Sequence, residues 1–328
     1  MRYLSPHLPR APLLVPGRIT QHLSLPVAIL VTLAGVLLIA TALRDVFDTL
    51  FHPGGRAAVS RTVTRVMWRG FKPVAARRPG VISLAGPLML IVIIAMWAGA
   101  LIVGWALVYW PHVPDGFSFQ PGTRHGGLHG LVDVLYLSIV TLTTVGYGDI
   151  TPDAGWLRIV SPVEALLGFG LLTASISWLG SIYPAVQRRR SLAYEIHLLR
   201  KAEDETGIEV GDLEPAEASI LYADLTGRVV TAERDLVSFP IAYYFAQSDD
   251  RFSLSAAMPY VWKLAVAGTG EGGDERIRLR ATILRDAVGD FAVTVADRFH
   301  GDETDETRQM LESYARDHMR EPERMPSG

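Results

Sequence analysis

The sequence contains no cysteine, so disulfides and thiolate metal sites are excluded and no oxidising compartment is indicated. Net charge is also scarce, -3 over 328 residues, which argues against nucleic-acid binding as a global property. No activated nucleophile, paired catalytic carboxylates or P-loop lysine stands out, and the chain reads as something other than an enzyme. What is plentiful is apolar surface. Hydrophobic residues make up 49% and the mean hydropathy is +0.23, high for a soluble chain of a length that could hold two or three domains.

Long apolar runs occupy Pro26 to Leu43, Ile82 to Trp110 and Trp156 to Tyr183. A hydrocarbon core about 30 Å thick needs roughly 20 helical residues, so the first run is minimal and the second is long enough to tilt. Trp105, Tyr109 and Trp110 gather at one end of the second run, as side chains at a headgroup boundary do. Lys and Arg resist translocation and so set the orientation. Arg44, Arg56, Arg61, Arg65, Arg69, Lys72, Arg77 and Arg78 lie between the first two runs, whereas Pro111 to Gly155 holds only Arg124. The basic linker is therefore expected in the cytoplasm, with the N-terminus outside and the C-terminal region inside the cell's inner (plasma) membrane. A signal-peptide reading of the first run has Ala40-Thr41-Ala42 in its favour, but cleavage there would export the basic linker, and a retained helix fits better.

Within the linker, Val59, Val63, Val66 and Phe71 share one helical stripe and Arg61, Arg65, Arg69 and Lys72 another. The pattern suits a helix on the inner leaflet, drawn to anionic lipid, or an ordinary solvated helix. A voltage sensor is disfavoured, because its arginines would lie inside an apolar span. Beyond Ser191 helical periodicity predicts elements at Ser191 to Glu205, Pro215 to Leu236, Leu254 to Ala267, Glu275 to Asp286 and Thr304 to Met319.

Between the last two runs stands Thr144-Val145-Gly146-Tyr147-Gly148-Asp149. An ion crossing lipid must exchange its water for other oxygens, and consecutive backbone carbonyls serve if they point at one axis. In an ordinary strand they alternate sides, so aligning them requires alternating backbone handedness, which glycine adopts at least cost. Gly146 and Gly148 alternate with Val145 and Tyr147 as that geometry demands, and Thr144 adds a hydroxyl at the inner end.

These six residues resemble the selectivity filter of potassium channels, and the order of span, short helix, filter and span resembles that family's two-helix pore over about Ile82 to Pro184. The resemblance implies an all-α membrane protein: a tetrameric pore module with one extra N-terminal helix and a mainly helical cytoplasmic domain. Its segments would be an extracytoplasmic stretch over 1–22, a first membrane helix over 23–45, a basic linker with an interfacial helix over 46–81 and a pore domain over 82–184. The pore divides into an outer helix at 82–110, a pore helix at 131–143, the filter at 144–149 and an inner helix at 156–184. A cytoplasmic domain over 185–320 and a disordered tail over 321–328 follow.

The resemblance further implies a homotetramer, since each chain supplies a quarter of the filter ring, with K+ as permeant ion on Thr144, Val145, Gly146, Tyr147 and Gly148. Tyr136, Thr143 and Asp149 would support the filter. Where small bacterial channels carry two tryptophans in the pore helix, this chain has Tyr136 and Leu137, and Val140 replaces a glutamate that some relatives place behind the filter. Gly168 matches the family's hinge position, with Gly170 close by, although small residues in membrane helices also serve close packing. Ile176, Gly180 and Pro184 fall where inner helices converge, and Pro184 would kink or end the helix.

Other signals are weaker. Gly268, Gly270 and Gly273 formally match a dinucleotide fingerprint after the strand-like Val261 to Ala267, but too little chain follows Asp297 to complete a doubly wound sheet, and a flexible loop is the better reading. His112, His125 and His129 beside Asp115 lack metal-ligand spacing. Asp302, Glu303, Asp305 and Glu306 lack a calcium-loop pattern. Arg188, Arg189 and Arg190 mark a membrane edge and, with Arg61, Arg65 and Arg69, are candidates for contact with anionic lipid. The whole reads as a potassium channel with an unidentified gating stimulus. The alternatives are a nonselective cation channel, or a ligand-binding signalling protein with a weakly conducting pore.

Overall fold

The computed structural model describes residues 24–51, 58–120, 128–270, 274–300 and 306–321. The segment 1–22, Arg56, Arg124, His125, Gly273, Asp302, Glu303, Asp305 and the tail beyond 321 lie outside the described residues.

The protein is an all-α membrane protein. Its helices are α1 (Leu25–Phe51), α2 (Ala58–Arg77), α3 (Ala85–Tyr109), α4 (Leu128–Leu142), α5 (Leu157–Thr206), α6 (Pro215–Ser238), α7 (Leu254–Gly268), α8 (Glu275–Val295) and α9 (Thr307–Asp317). Among the described residues, three helical stretches are long and apolar enough to cross a membrane: Leu25–Leu50, Gly80–His112 and Leu157–Thr206. Sequence periodicity predicts a break between the third span and a helix starting at Ser191, but α5 runs unbroken for 50 residues. Pro184 therefore does not end it. A proline inside a helix removes a single backbone hydrogen bond, and the α5 turns on either side of it are regular.

Contacts divide the chain into two units, residues 1–39 with 101–169 and residues 40–100 with 170–328. In the first unit α1 and α3 meet at glycines. A Cβ on Gly35 would lie 2.6 Å from the Gly104 carbonyl oxygen, and one on Gly104 would lie 2.7 Å from Ile39. Such backbone approach replaces the hydrophobic drive that lipid does not supply. A short antiparallel pair, β1 (Phe117–Phe119) and β2 (Ile150–Pro152), is set with Phe119 opposite Ile150. No sequence signal predicts it.

In the second unit, the apolar stripe of α2 is not the face that packs. Val59 and Val66 are exposed, whereas Ser60, Thr64, Trp68 and Ala75 are buried. Buried Asp45 of α1 caps the start of α2, accepting from the Val59 and Ser60 backbone amides and the Ser60 hydroxyl, and it also takes the Trp97 indole N–H of α3 at 2.9 Å. Trp97 in turn lies 5.7 Å from the Trp178 ring of α5. Farther along α2, Trp68 donates to Asp317 at 2.8 Å and packs against Tyr244 and His318, and Lys72 pairs with the same carboxylate. The helix expected to rest on lipid by its valines is thus held by its opposite face. A large indole with a hydrogen-bond partner buries more area than scattered valines.

Periodicity also misplaces some helix ends beyond Ser191. Val261 to Ala267 belong to α7 rather than a strand, and α8 continues nine residues past the expected Asp286. Gly268 serves packing, since a Cβ there would lie 2.5 Å from the Tyr222 hydroxyl. Without a preceding strand the fingerprint loses its structural context.

The buried ring of His318 stands between the carbonyls of Tyr314 and Tyr243 at 3.1 and 3.0 Å. Burial pushes its pKa down to about 4 against the pull of those carbonyls and Asp317. A histidine held neutral in the fold and free to charge at about 6.5 when unfolded adds stability above that value, and the contribution fades as pH falls toward 4. Thermal unfolding of the full chain in detergent should therefore cost about 2–3 kcal/mol of stability between pH 7.5 and 4.5 through this group. His318→Gln should flatten that slope, whereas equal slopes in both proteins would refute the assignment.

Candidate ion-conduction site

The filter segment begins where α4 stops. Thr143 donates its hydroxyl to the Ile139 carbonyl at 2.6 Å, and Thr144 N–H bonds to Thr141 at 2.9 Å. The Val140 carbonyl then takes both Val145 N–H, at 2.9 Å, and Gly146 N–H, at 3.3 Å. These bonds satisfy last-turn carbonyls of the helix and fix where the filter starts.

Its backbone alternates. Positive φ occurs at Thr144 (59°), Gly146 (58°) and Gly148 (76°), with Val145 and Tyr147 between them. Space does not demand these glycines, because a Cβ on either would meet nothing within 4 Å. The dihedral does. Thr144 carries the same handedness with a β-branched side chain, at a cost of about 1–2 kcal/mol, and such strain clusters at functional sites. Within the single chain Val145 is 51% exposed and Tyr147 70%.

At the far end, Gln120 N–H bonds to the Asp149 carbonyl at 3.0 Å and β2 begins at Ile150, so the β1–β2 pair holds the exit. The Tyr136 hydroxyl of α4 hydrogen-bonds the Asp149 carboxylate. Leu137 and Val140 are buried, and α4 begins at Leu128, so that Asp133 stands in its second turn.

The remaining sequence candidates separate. Gly168 is a packing position: a Cβ there would lie 1.8 Å from the Leu142 carbonyl oxygen. Gly170, Ile176, Gly180 and Pro184 are exposed on α5. Arg61, Arg65 and Arg69 are exposed on α2. Arg188 and Arg189 both make contacts within the protein. Arg188 grips Asp235 of α6 through two nitrogens at 2.6 and 2.9 Å, and Arg189, 7% exposed, donates to the Ala242 carbonyl and the Tyr314 hydroxyl. Arg190 is partly buried and next to them. His112 stacks edge-on to Trp156, and among the described residues no group of three possible ligands could hold a metal.

Two buried carboxylates on the membrane-span helices are absent from the sequence candidates: Asp45, near the end of α1, and Glu164, in the third apolar run. The signal was available: an acidic residue in a membrane span is costly and retained for a reason.

Residues 91–183 match a family described as ion channel. This match and the three apolar helical spans support an ion-channel module embedded in a membrane. The likeness to the potassium-channel family read from the filter residues is borne out over this module. The uncharacterized membrane protein YdjJ of Bacillus subtilis is 29% identical over 50% of this chain and 47% of its own length. Two-pore potassium channel 5 of Arabidopsis thaliana is 49% identical over 15% of this chain and 12% of its own. Protein LctB of Geobacillus stearothermophilus is 40% identical over 24% and 60%. This chain thus spans about half the length of the first of these relatives and less than two thirds of the others. No solved structure matches.

Tyr136→Phe should shift the balance between conducting and non-conducting filters roughly fivefold, the worth of one hydrogen bond of about 1 kcal/mol. Current decay in reconstituted protein measures it, and a decay identical to wild type would refute the brace.

Proposed function

We propose that this protein is a potassium-selective channel that conducts K+ passively down its electrochemical gradient. The alternation of positive φ at residues 144, 146 and 148 carries this reading. Alternating handedness turns successive carbonyls to one side, so Thr144, Val145, Gly146 and Tyr147 offer oxygens in place of the hydration shell, and Gly148 completes the turn. Side chains of Val145 and Tyr147 then face away from the axis and stiffen the wall. The six-residue match and the printed names of the plant relatives support potassium as the ion.

One chain supplies one wall of such a path, so the reading requires a homotetramer. The exposed filter and the exposed apolar side chains of Ile159, Val163, Leu166, Leu172 and Ile176 along α5 are surfaces that neighbouring copies would cover. Ile176, Gly180 and Pro184 then line the inner mouth. The basic linker sets the N-terminus outside and the C-terminal helices inside the inner membrane. There α2 presents Arg61, Arg65 and Arg69 to anionic lipid, with K+ as cargo and no organic cofactor.

Purified protein in liposomes should pass K+ and Rb+ at least tenfold faster than Na+, a difference of about 1.4 kcal/mol. Gly146→Ala should abolish flux without preventing tetramer assembly. Comparable Na+ and K+ flux would instead favour a nonselective cation channel. No flux, with a ligand bound by residues 191–320, would favour a signalling protein.

A further inference from the structure

Glu164 has no exposed surface, and its two oxygens serve two other helices. The Tyr109 hydroxyl of α3 donates to Oε2 at 2.6 Å, and the Ser138 hydroxyl of α4 donates to Oε1 at 2.5 Å. One turn further along α5, Gly168 meets α4 again, its Cα face closed against the Leu142 carbonyl. Ser138 and Leu142 are themselves four residues apart, so matching i, i+4 faces of the two helices are joined at both positions. A single contact would leave α4 free to pivot on α5. Two contacts a turn apart, one a side-chain hydrogen bond and the other backbone against backbone, fix rotation and axial position together. Between them on α4 lies Val140, whose carbonyl holds the amides of Val145 and Gly146. Less than one helical turn thus separates the Glu164 bond from the filter backbone.

We propose that Glu164 is a positioning residue for ion conduction, which makes the pore helix and the inner helix move as one body, so that displacement of α5 changes the geometry of the filter itself. A carboxylate in an apolar span is expensive unless its partners are fixed, and here both partners lie on the walls the filter depends on. A purely apolar residue would fill the space without setting the register. The inference rests on the reading of the protein as a potassium channel and adds the route by which its filter is regulated.

The test uses full-length tetramers in liposomes, recording K+ current, its decay at constant voltage and the Rb+/K+ and Na+/K+ ratios for wild type, Ser138→Ala, Glu164→Ala, Glu164→Gln and the double alanine variant. Ser138→Ala and Glu164→Ala should each change the decay rate roughly fivefold or more, and the double variant should go no further than the stronger single one, because coupled partners are not additive. Glu164→Gln keeps one acceptor and should recover part of the effect. Should Glu164→Ala fail to assemble, Ser138→Ala still removes the α4 bond while leaving the carboxylate and Tyr109 in place. Assembled variants that melt earlier but keep wild-type decay and ion ratios would reduce Glu164 to a structural residue and overturn the proposal. Wild-type liposomes without K+ flux would overturn the channel reading instead.

Discussion

In hydrocarbon a polar group can bond only to protein, and that constraint organises this structure. Asp45 and Glu164 are both buried, and each is satisfied by hydroxyl, indole or amide donors brought from other helices. Neither could be tolerated if its helix packed in another register. The carboxylates therefore act as register marks: Asp45 ties the end of α1 to the start of α2 and to α3, and Glu164 ties α5 to α3 and α4. Glycine contacts such as Gly35 with Gly104 and Gly168 with Leu142 let the backbones come close enough for those bonds to form.

The segment 144–149 is the second polar problem, solved by backbone. Its residues form no sheet or helix of their own, and their amides and carbonyls are held from both ends. Val140 accepts at the inner end, and Gln120 with the β1–β2 pair holds the outer one. Between these anchors the chain keeps three residues at positive φ, one of them a threonine. Strain of that kind persists where the surroundings over-determine the conformation.

Outside the spans, Asp317 gathers Trp68, Lys72, Tyr243 and His300, and these partners hold its carboxyl well below the usual range despite its burial. α2 thereby gains a packed face against α9 while its valines and arginines stay exposed. The unbroken α5 carries Arg188 and Arg189 into contacts with α6 and α9.

By itself the sequence determined the apolar spans, because twenty apolar residues have few other uses, and the alternating backbone of residues 144–148, because Gly146 and Gly148 around Tyr147 satisfy a backbone requirement that is local. Helix existence beyond Ser191 was equally legible from periodicity. What periodicity could not supply was where helices stop and which face they bury. α5 runs past Pro184 to Thr206, where Gly207 follows at positive φ, and α2 buries Trp68 instead of most of its valine stripe. Gly168 is fixed against Leu142 for the same reason: its neighbour comes from another helix. The roles of Glu164 and Asp45 were decided only by tertiary structure, since a carboxylate in or beside an apolar run announces a cost but not its partners. Those lie 26 and 55 residues from Glu164 along the chain, and only folding brings them within hydrogen-bond reach.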